Sequence, residues 1–277
     1  MGFQTVFQRY ELKYLLIQEQ KETVLRAMQP YMTLDKYGRT TIRNLYYDTD
    51  TYLLIRRSIE KPAYKEKLRI RSYSRVDGDS TAFVELKKKC KSVVYKRRIS
   101  LPYAEATTWL SCEKHTEKHT QIANEIDYFL DYYGSLHPTV FLSYEREAYY
   151  CNDGSDFRVT FDDTILCRQN DLSLESEVYG TPILPEGKVL MEIKCSGGIP
   201  LWMTHVLSEE KIYKTSFSKY GTAYGTLIQA LKKMCCPTIP VAPMGSQSWG
   251  CFTSATMKIA PMTTMKSNRI STNFTGR

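Results

Sequence analysis

The sequence has 277 residues, of which 42% are apolar and 25% charged, and its formal net charge is +8. These values are typical of a soluble globular protein that is large enough to bury a core. No stretch approaches the roughly 18 apolar residues of a membrane span, the N-terminus lacks the features of a signal peptide, and the eight cysteines contain no Cys-x-x-Cys pair. Reduced thiols in the cytoplasm are therefore expected, without a disulfide scaffold or a zinc site.

Hydrophobic periodicity predicts mostly strands, with helices inserted between them. In chain order, the pattern predicts a strand (9–16), a helix (17–31), a strand (39–49), one or two helical turns (51–59), three strands (64–73, 81–89 and 93–101), two helices (103–133), three strands (139–150, 157–163 and 188–195) and two helices (200–212 and 218–234). We therefore expect an α+β domain built on a single closed or nearly closed antiparallel sheet.

The last part of the chain differs in composition. Residues 237–277 are rich in Pro, Ser, Thr and Met and contain four basic residues but no acid. They show no sustained periodicity, which is typical of disordered segments. The sequence therefore predicts one folded domain over residues 1–236 and a disordered basic tail over residues 237–277.

The segment KEKLRIRSY, residues 65–73, places a cation at every second position. Side chains of a strand alternate between its two faces, so Lys65, Lys67, Arg69 and Arg71 would line one surface, roughly 7 Å apart. The apolar residues between them would line the other surface. Like charges that neighbour one another repel, so this arrangement indicates a strongly anionic ligand.

Other predicted strands repeat this alternation of an ionic face with an apolar or aromatic face. Three of them place an acid and a base two residues apart, as in ELK at 11–13, ELK at 85–87 and EIK at 192–194. The further ionic faces contain Lys96 and Arg98, then Arg146 beside Tyr144, then Arg158, Thr160 and Asp162.

Two interpretations of these faces are open at this stage. A half-exposed antiparallel sheet shows the same alternation when its polar face is solvated. However, the faces are mostly Arg and Lys, and the predicted helices need the apolar side of the sheet to pack against. The alternative is then a charged interior, and burying these charges costs free energy unless a polyanion fills the interior.

Linked phosphates suit such an interior, because Arg binds phosphate oxygens in pairs and Lys supplies point charges. The acidic residues Glu11, Glu85 and Glu192 would then hold Mg²⁺ or Mn²⁺ together with phosphate oxygens. Each glutamate could instead orient a neighbouring Lys or Arg through an ion pair.

The chain resembles the polyphosphate polymerase domain of the vacuolar transporter chaperone (VTC) family, in the CYTH-like triphosphate tunnel metalloenzyme superfamily. The resemblance covers about residues 7–230, and its compact single-domain form is similar to the bacterial type. Its landmarks, in the order of the family, are KLRIRSY, FVELKKK, YKRR, SYEREAYY, FRVTFD, LMEIK and FSKY. The resemblance implies an eight-stranded antiparallel tunnel barrel with a basic lumen, helices packed outside and a C-terminal helix. The activity that the resemblance implies is transfer of the γ-phosphate of ATP to a growing polyphosphate chain, with Mn²⁺ or Mg²⁺.

The resemblance and the charge pattern together assign a role to each of fourteen residues. Residues expected to hold the triphosphate and the migrating phosphoryl group are Arg69, Arg71, Lys87, Arg146 and Arg158. Residues expected to bind further phosphates of nucleotide or polyphosphate are Lys13, Lys67, Lys96, Arg98, Lys194 and Lys219. Residues expected to bind the metal are Glu192, Glu85 and Glu11. Other branches of the superfamily begin with Glu-x-Glu-x-Lys, and here Arg9 stands at the first of these positions, which favours the polymerase branch.

Three other functions remain open from the sequence. Water as the acceptor would give a tripolyphosphate or nucleoside triphosphate hydrolase with the same tunnel. A polyanion-binding module without catalysis is the second, and a nucleic-acid binder is the third. The sequence has no nucleic-acid-binding signature, so we expect ATP and inorganic polyphosphate as partners and no nucleic acid.

Overall fold

The computed structural model describes residues 10–91 and 93–235. The strands in these residues are β1 (Tyr10–Ile17), β2 (Met32–Asp48), β3 (Tyr64–Ser72), β4 (Thr81–Cys90), β5 (Val93–Pro102), β6 (His137–Cys151), β7 (Arg158–Arg168), β8 (Thr181–Pro182) and β9 (Lys188–Cys195). The helices are α1 (Gln18–Met28), α2 (Leu53–Ile59), α3 (Tyr103–Leu110), α4 (Gln121–Tyr133), α5 (Leu201–Glu209) and α6 (Lys219–Cys235). Arg9 and the predicted tail at 237–277 lie outside the described residues.

Each strand and helix expected from the sequence is present, with two differences. β2 begins at Met32 rather than near residue 39, because its first residues pair with the end of β6 before the register shifts between Leu34 and Arg39. β8 was not predicted, because two residues are too short to show a periodicity.

All strands pair antiparallel, in the order β1-β9-β7-β6-β2-β3-β4-β5, with β8 added beside β7. The α+β class is confirmed. Main-chain pairing does not join β1 to β5 within residues 10–91 and 93–235, so it does not by itself close a barrel. The sheet nevertheless curves until its ends approach each other, since Lys87 on β4 donates a hydrogen bond to Glu11 on β1 at 2.8 Å.

Helices cover the apolar face of this curved sheet. Leu68 and Leu86, from β3 and β4, pack with Trp109 of α3 and Phe129 of α4. A second cluster joins β1, β7 and β9 to α1 and α5. The alternating ionic residues therefore lie on the opposite side, which we call the concave face. A fully solvated face does not fit these residues, because Arg71, Glu85 and Glu192 on the concave face are buried.

One end of the concave face is apolar and holds α2 and α6. Tyr46, Leu142 and Leu190 of the sheet pack there against Ile55 and Tyr220 of these two helices. The arrangement fixes the position of Lys219, the first residue of α6.

A buried carboxylate joins α2 to α6 at this end. Asp48 accepts the backbone N–H groups of Leu54 and Ile55 at the start of α2, and also the Tyr220 hydroxyl at 2.9 Å. A carboxylate near a helix N-terminus accepts hydrogen bonds from backbone N–H groups that have no partner within the helix. In the part of the chain that the structure describes, no helix has both the length and the apolar character needed to cross a membrane.

Candidate active site

Glu85 on β4 is the centre of a first ionic cluster on the concave face. Its Oε2 accepts hydrogen bonds from Nε and Nη2 of Arg69 at 2.8 and 2.6 Å. Its Oε1 accepts from Arg98 at 2.7 Å and lies 2.9 Å from Lys96 Nζ. The Glu85 side chain is 1% exposed. Burial alone would raise its pKa, but Arg71 and the three other cations hold the pKa of Glu85 well below its usual range.

Asp162 and Glu192 form the centre of a second cluster. Arg146 donates two hydrogen bonds of 2.6 Å to the fully buried Asp162, and Lys219 Nζ lies 2.5 Å from the same carboxylate. Lys219 also donates to Glu192 at 3.0 Å. Asp162 and Glu192 therefore share Lys219, and the Glu192 carboxylate also lies 3.5 Å from Arg146.

Two further lysines complete the second cluster around Glu192. Lys13 and Lys194 lie 3.5 and 3.2 Å from its carboxylate oxygens. Burial opposes ionisation of Glu192, yet Lys219 and the other surrounding cations hold its pKa well below the usual range. Burial lowers the pKa of Lys194 to about 8, against the opposing effect of Glu192.

Lys67 lies between the two clusters and differs from its neighbours. Its ammonium donates to Ser218 Oγ at 3.1 Å and has no carboxylate within ion-pair distance in the described residues. Burial, together with the charges of Lys13, Lys87, Lys65 and Arg69, lowers its pKa to about 7. Positive charge therefore exceeds negative charge around this residue.

The remaining predicted basic residues are Arg71, Lys87 and Arg158, and Arg71 Nε lies 3.9 Å from the Glu85 carboxylate. Arg71 donates to Asn44 and to the Tyr144 hydroxyl, and Lys87 binds Glu11 on the facing end of the sheet. Arg158, on the same face of β7 as Asp162, stacks over the Tyr150 ring at 3.9 Å. By strand register and contacts, all eleven predicted basic residues thus belong to one concave face.

Several residues of the site were not assigned a role from the sequence. The sequence pattern places Asp162 only within an ionic face, whereas in the structure it holds Arg146 and Lys219 together. Tyr46 accepts a hydrogen bond from Arg69 Nη1 at 2.8 Å. The main-chain oxygen of Phe217 accepts from Lys13 at 2.7 Å. The alternation of β7 already placed Asp162 among the cations, whereas no sequence signal brings residue 217 to Lys13.

The carboxylates differ in their suitability for a divalent metal. No group of three or more acidic, His or Cys side chains is gathered as a metal site within residues 10–91 and 93–235. Mg²⁺ and Mn²⁺ also bind through one or two carboxylates plus phosphate oxygens. Glu11 and Glu192 suit this second mode, since they lie on paired strands and the charge of Glu192 acts on the ionisation of Glu11.

Glu85 is the least exposed of the three predicted metal ligands, since the Glu192 side chain is 9% exposed. Both of its oxygens accept hydrogen bonds from arginines, and its side chain is 1% exposed, compared with 23% for Glu11. Burial raises the pKa of Glu11, but the charge and hydrogen bond of Lys87 together with the charge of Lys194 lower it to about 2, so this carboxylate is also ionised.

The family is decided by a comparison of the sequence with family models. The model of the VTC domain matches residues 8–228. The chain belongs to the VTC domain family. The predicted resemblance is thus confirmed, and the matched range of the VTC domain contains all fourteen residues of the predicted site.

The solved structures similar to this VTC domain include two proposed adenylate cyclases. A proposed adenylate cyclase from Bacillus halodurans is 15% identical, with a TM-score of 0.49, 78% of this chain and 96% of that chain being covered. A proposed adenylate cyclase from Vibrio parahaemolyticus is 9% identical, with a TM-score of 0.41 and coverage of 78% and 98%. No curated protein matches the chain.

Proposed function

We propose that this VTC domain transfers the γ-phosphoryl group of ATP to the end of an inorganic polyphosphate chain on its concave face, and releases ADP. The observation that supports this proposal is the number of strands that supply cations to one surface. The predicted basic residues come from β1, β3, β4, β5, β6, β7, β9 and α6. They outnumber the carboxylates Glu11, Glu85, Asp162 and Glu192, and a polyanion would supply the missing negative charge.

The chemistry requires positioning and charge neutralisation more than a protein nucleophile. A terminal oxygen of the acceptor chain forms a bond to the γ-phosphorus, the bond from that phosphorus to the β–γ bridging oxygen breaks, and ADP leaves with its electron pair. Arg69 and Arg146 suit the migrating group, because buried carboxylates fix both guanidinium groups in place. Lys13, Lys194 and Lys219 suit the adjoining phosphates.

The metal role falls to Glu192, with Glu11 beside it. A divalent ion there would neutralise charge on phosphate oxygens. The lysines that bind Glu192 can move to phosphate oxygens when a polyanion enters, because their stems are flexible. We assign Glu85 to positioning Arg69 and Arg98 instead of to the metal.

The products decide between this function and its alternatives. We expect incubation of the full chain with ATP and Mn²⁺ or Mg²⁺ to give long polyphosphate and ADP, separated by size on a gel. Free phosphate without polymer would identify a triphosphatase. Tight polyphosphate binding without turnover would identify a binding module, and salt-dependent affinity for duplex DNA would indicate a nucleic-acid binder.

The protonation state of Lys67 gives a prediction on pH. We expect phosphate to raise the pKa of Lys67 from about 7 towards its ordinary value of 10.5, so that binding takes up protons near pH 8. Above pH 7 the free site loses the Lys67 proton, while the bound site keeps it. Affinity for tripolyphosphate should therefore fall as the pH rises above 7.

Calorimetry in buffers of different ionisation enthalpy measures this uptake. Lys67→Met should take up fewer protons on binding than the unmodified chain. Protons lost by the ligand contribute equally to both measurements, so they cancel when the two values are subtracted. Lys114→Met, at an exposed lysine outside the concave face, should leave the uptake unchanged. Equal uptake by the Lys67 variant and the unmodified chain would show that Lys67 is already charged in the free protein.

A further inference from the structure

Two pairs of lysines face each other across β3 and β4. The register places Lys65 opposite Lys89, and Lys67 opposite Lys87. Like charges directly opposite each other destabilise a sheet. Glu11 offsets the charge of Lys87 at 2.8 Å, but neither Lys65 nor Lys89 has a carboxylate within ion-pair distance among the residues that the structure describes.

The outer pair, Lys65 and Lys89, continues the charged concave face toward solvent. Lys65, Lys67 and Lys89 are half-buried and Lys61 is exposed. Burial lowers the pKa of Lys65, and the charges of Lys89, Lys13 and Lys61 lower it further. The row of lysine charges therefore extends from Lys13 inside the site to Lys61 at the surface.

The ammonium of Lys65 is held in place. Its Nζ donates to the main-chain oxygen of Ser58 in α2 at 3.1 Å. This bond satisfies one of three donors, and within residues 10–91 and 93–235 no carboxylate neutralises the charge. The repulsion between Lys65 and Lys89 is therefore built into the folded state, and an anion lying between the two strands would relieve it.

We infer that Lys65 and Lys89 form an outer subsite for linear polyphosphate, which holds the part of the chain that extends past Lys67 and Lys87. The inference rests on the proposed function. Successive lysine pairs along β3 and β4 repeat roughly every 7 Å, and a linear polyanion with regularly repeated charge matches such a row. A triphosphate held at Arg69, Arg146 and Glu192 would not need this subsite, whereas a longer chain would.

The test compares ligands of two lengths on the full chain carrying both Lys65→Ala and Lys89→Ala. We expect the affinity for tripolyphosphate to change less than about twofold, and the affinity for polyphosphate of several dozen units to fall at least about tenfold. The slope of log affinity against log salt for the long ligand should decrease by about 1 for each lysine removed. Thermal melting should show a variant at least as stable as the unmodified chain, since repulsion has been removed.

A matched control removes two exposed lysines elsewhere, Lys36→Ala in β2 and Lys114→Ala between α3 and α4. Its affinity for long polyphosphate should stay within about twofold of the unmodified chain. The inference is overturned if the Lys65/Lys89 variant binds long polyphosphate normally, if it loses both ligands equally, or if the control loses as much. If the unmodified chain binds neither ligand, the proposed function fails together with the inference.

Discussion

Replacing Arg69 with alanine is expected to lower the rate of polyphosphate formation by about 10²–10³-fold. The guanidinium group donates twice to Glu85 and once to Tyr46, so its orientation is set before any ligand arrives. Preorganised charge is the main contribution a protein makes to phosphoryl transfer. Its loss should therefore act on the chemical step and not only on nucleotide affinity.

The fold should survive this substitution, because Glu85 keeps Arg98 and Lys96 as partners. Turnover is measured as ADP release and polymer length, and folding by thermal melting. Arg97→Ala is the matched control, since Arg97 lies on the next position of β5 after Lys96, faces away from the concave face and binds Glu125. We expect the control to retain activity. A fully active and folded Arg69 variant would show that the concave face is not the site of reaction.

Alternation in single strands made the faces of the sheet predictable from the sequence. Arg69 and Arg71 reach the concave face while Leu68 and Ile70 enter the core, because a strand has a period of two whatever its neighbours are. The amphipathic α4 was predictable for a similar reason, as Ile126, Phe129 and Leu130 repeat at helical spacing.

Ion pairs across the concave face were not predictable, because they depend on strand order and curvature. The three acid-x-lysine segments look alike in sequence, yet the hydrogen bonds to Glu85 come from arginines of β3 and β5, whereas the shortest contacts of Glu192 are with Lys219 and Lys194. The ion pair between Glu11 and Lys87 links the two ends of the sheet. Lys219 contacts Asp162 only because α6 packs at the apolar end of the concave face. Spacing alone therefore could not separate a metal ligand from a positioning carboxylate.

Glu85→Gln tests the positioning role proposed for Glu85 and is expected to have the second large effect. Glutamine keeps the shape but removes the charge that Arg69, Arg98 and Lys96 share. Losing one partner of a buried ion pair costs about 3–5 kcal/mol of unfolding free energy. We expect about 3 kcal/mol, because the side chains of Lys96 and Arg98 are 44% and 31% exposed and solvent screens part of their charge.

The pKa of Glu85 adds a dependence on pH. The folded-state pKa is depressed, so the stabilisation from Glu85 is present above its unfolded pKa of about 4.3 and is lost as the pH falls below that value. The difference in stability between the unmodified chain and the Gln variant should therefore be full at pH 7 and shrink in acid. Denaturant unfolding of both proteins at pH 7 and in acid measures this difference in stability.

Added polyphosphate separates a positioning role from a role in stability alone. If the cations around residue 85 belong to the ligand site, a polyanion supplies the missing negative charge. It should then raise the melting temperature of Glu85→Gln more than that of the unmodified chain, because ligand that binds only the folded state stabilises it by mass action. Glu125→Gln, on the outer side with Arg97, should lose under about 1 kcal/mol and gain no extra stabilisation. A Glu85 variant that is destabilised but gains no more from polyphosphate than the unmodified chain would place Arg69 and Arg98 outside the path of the polymer.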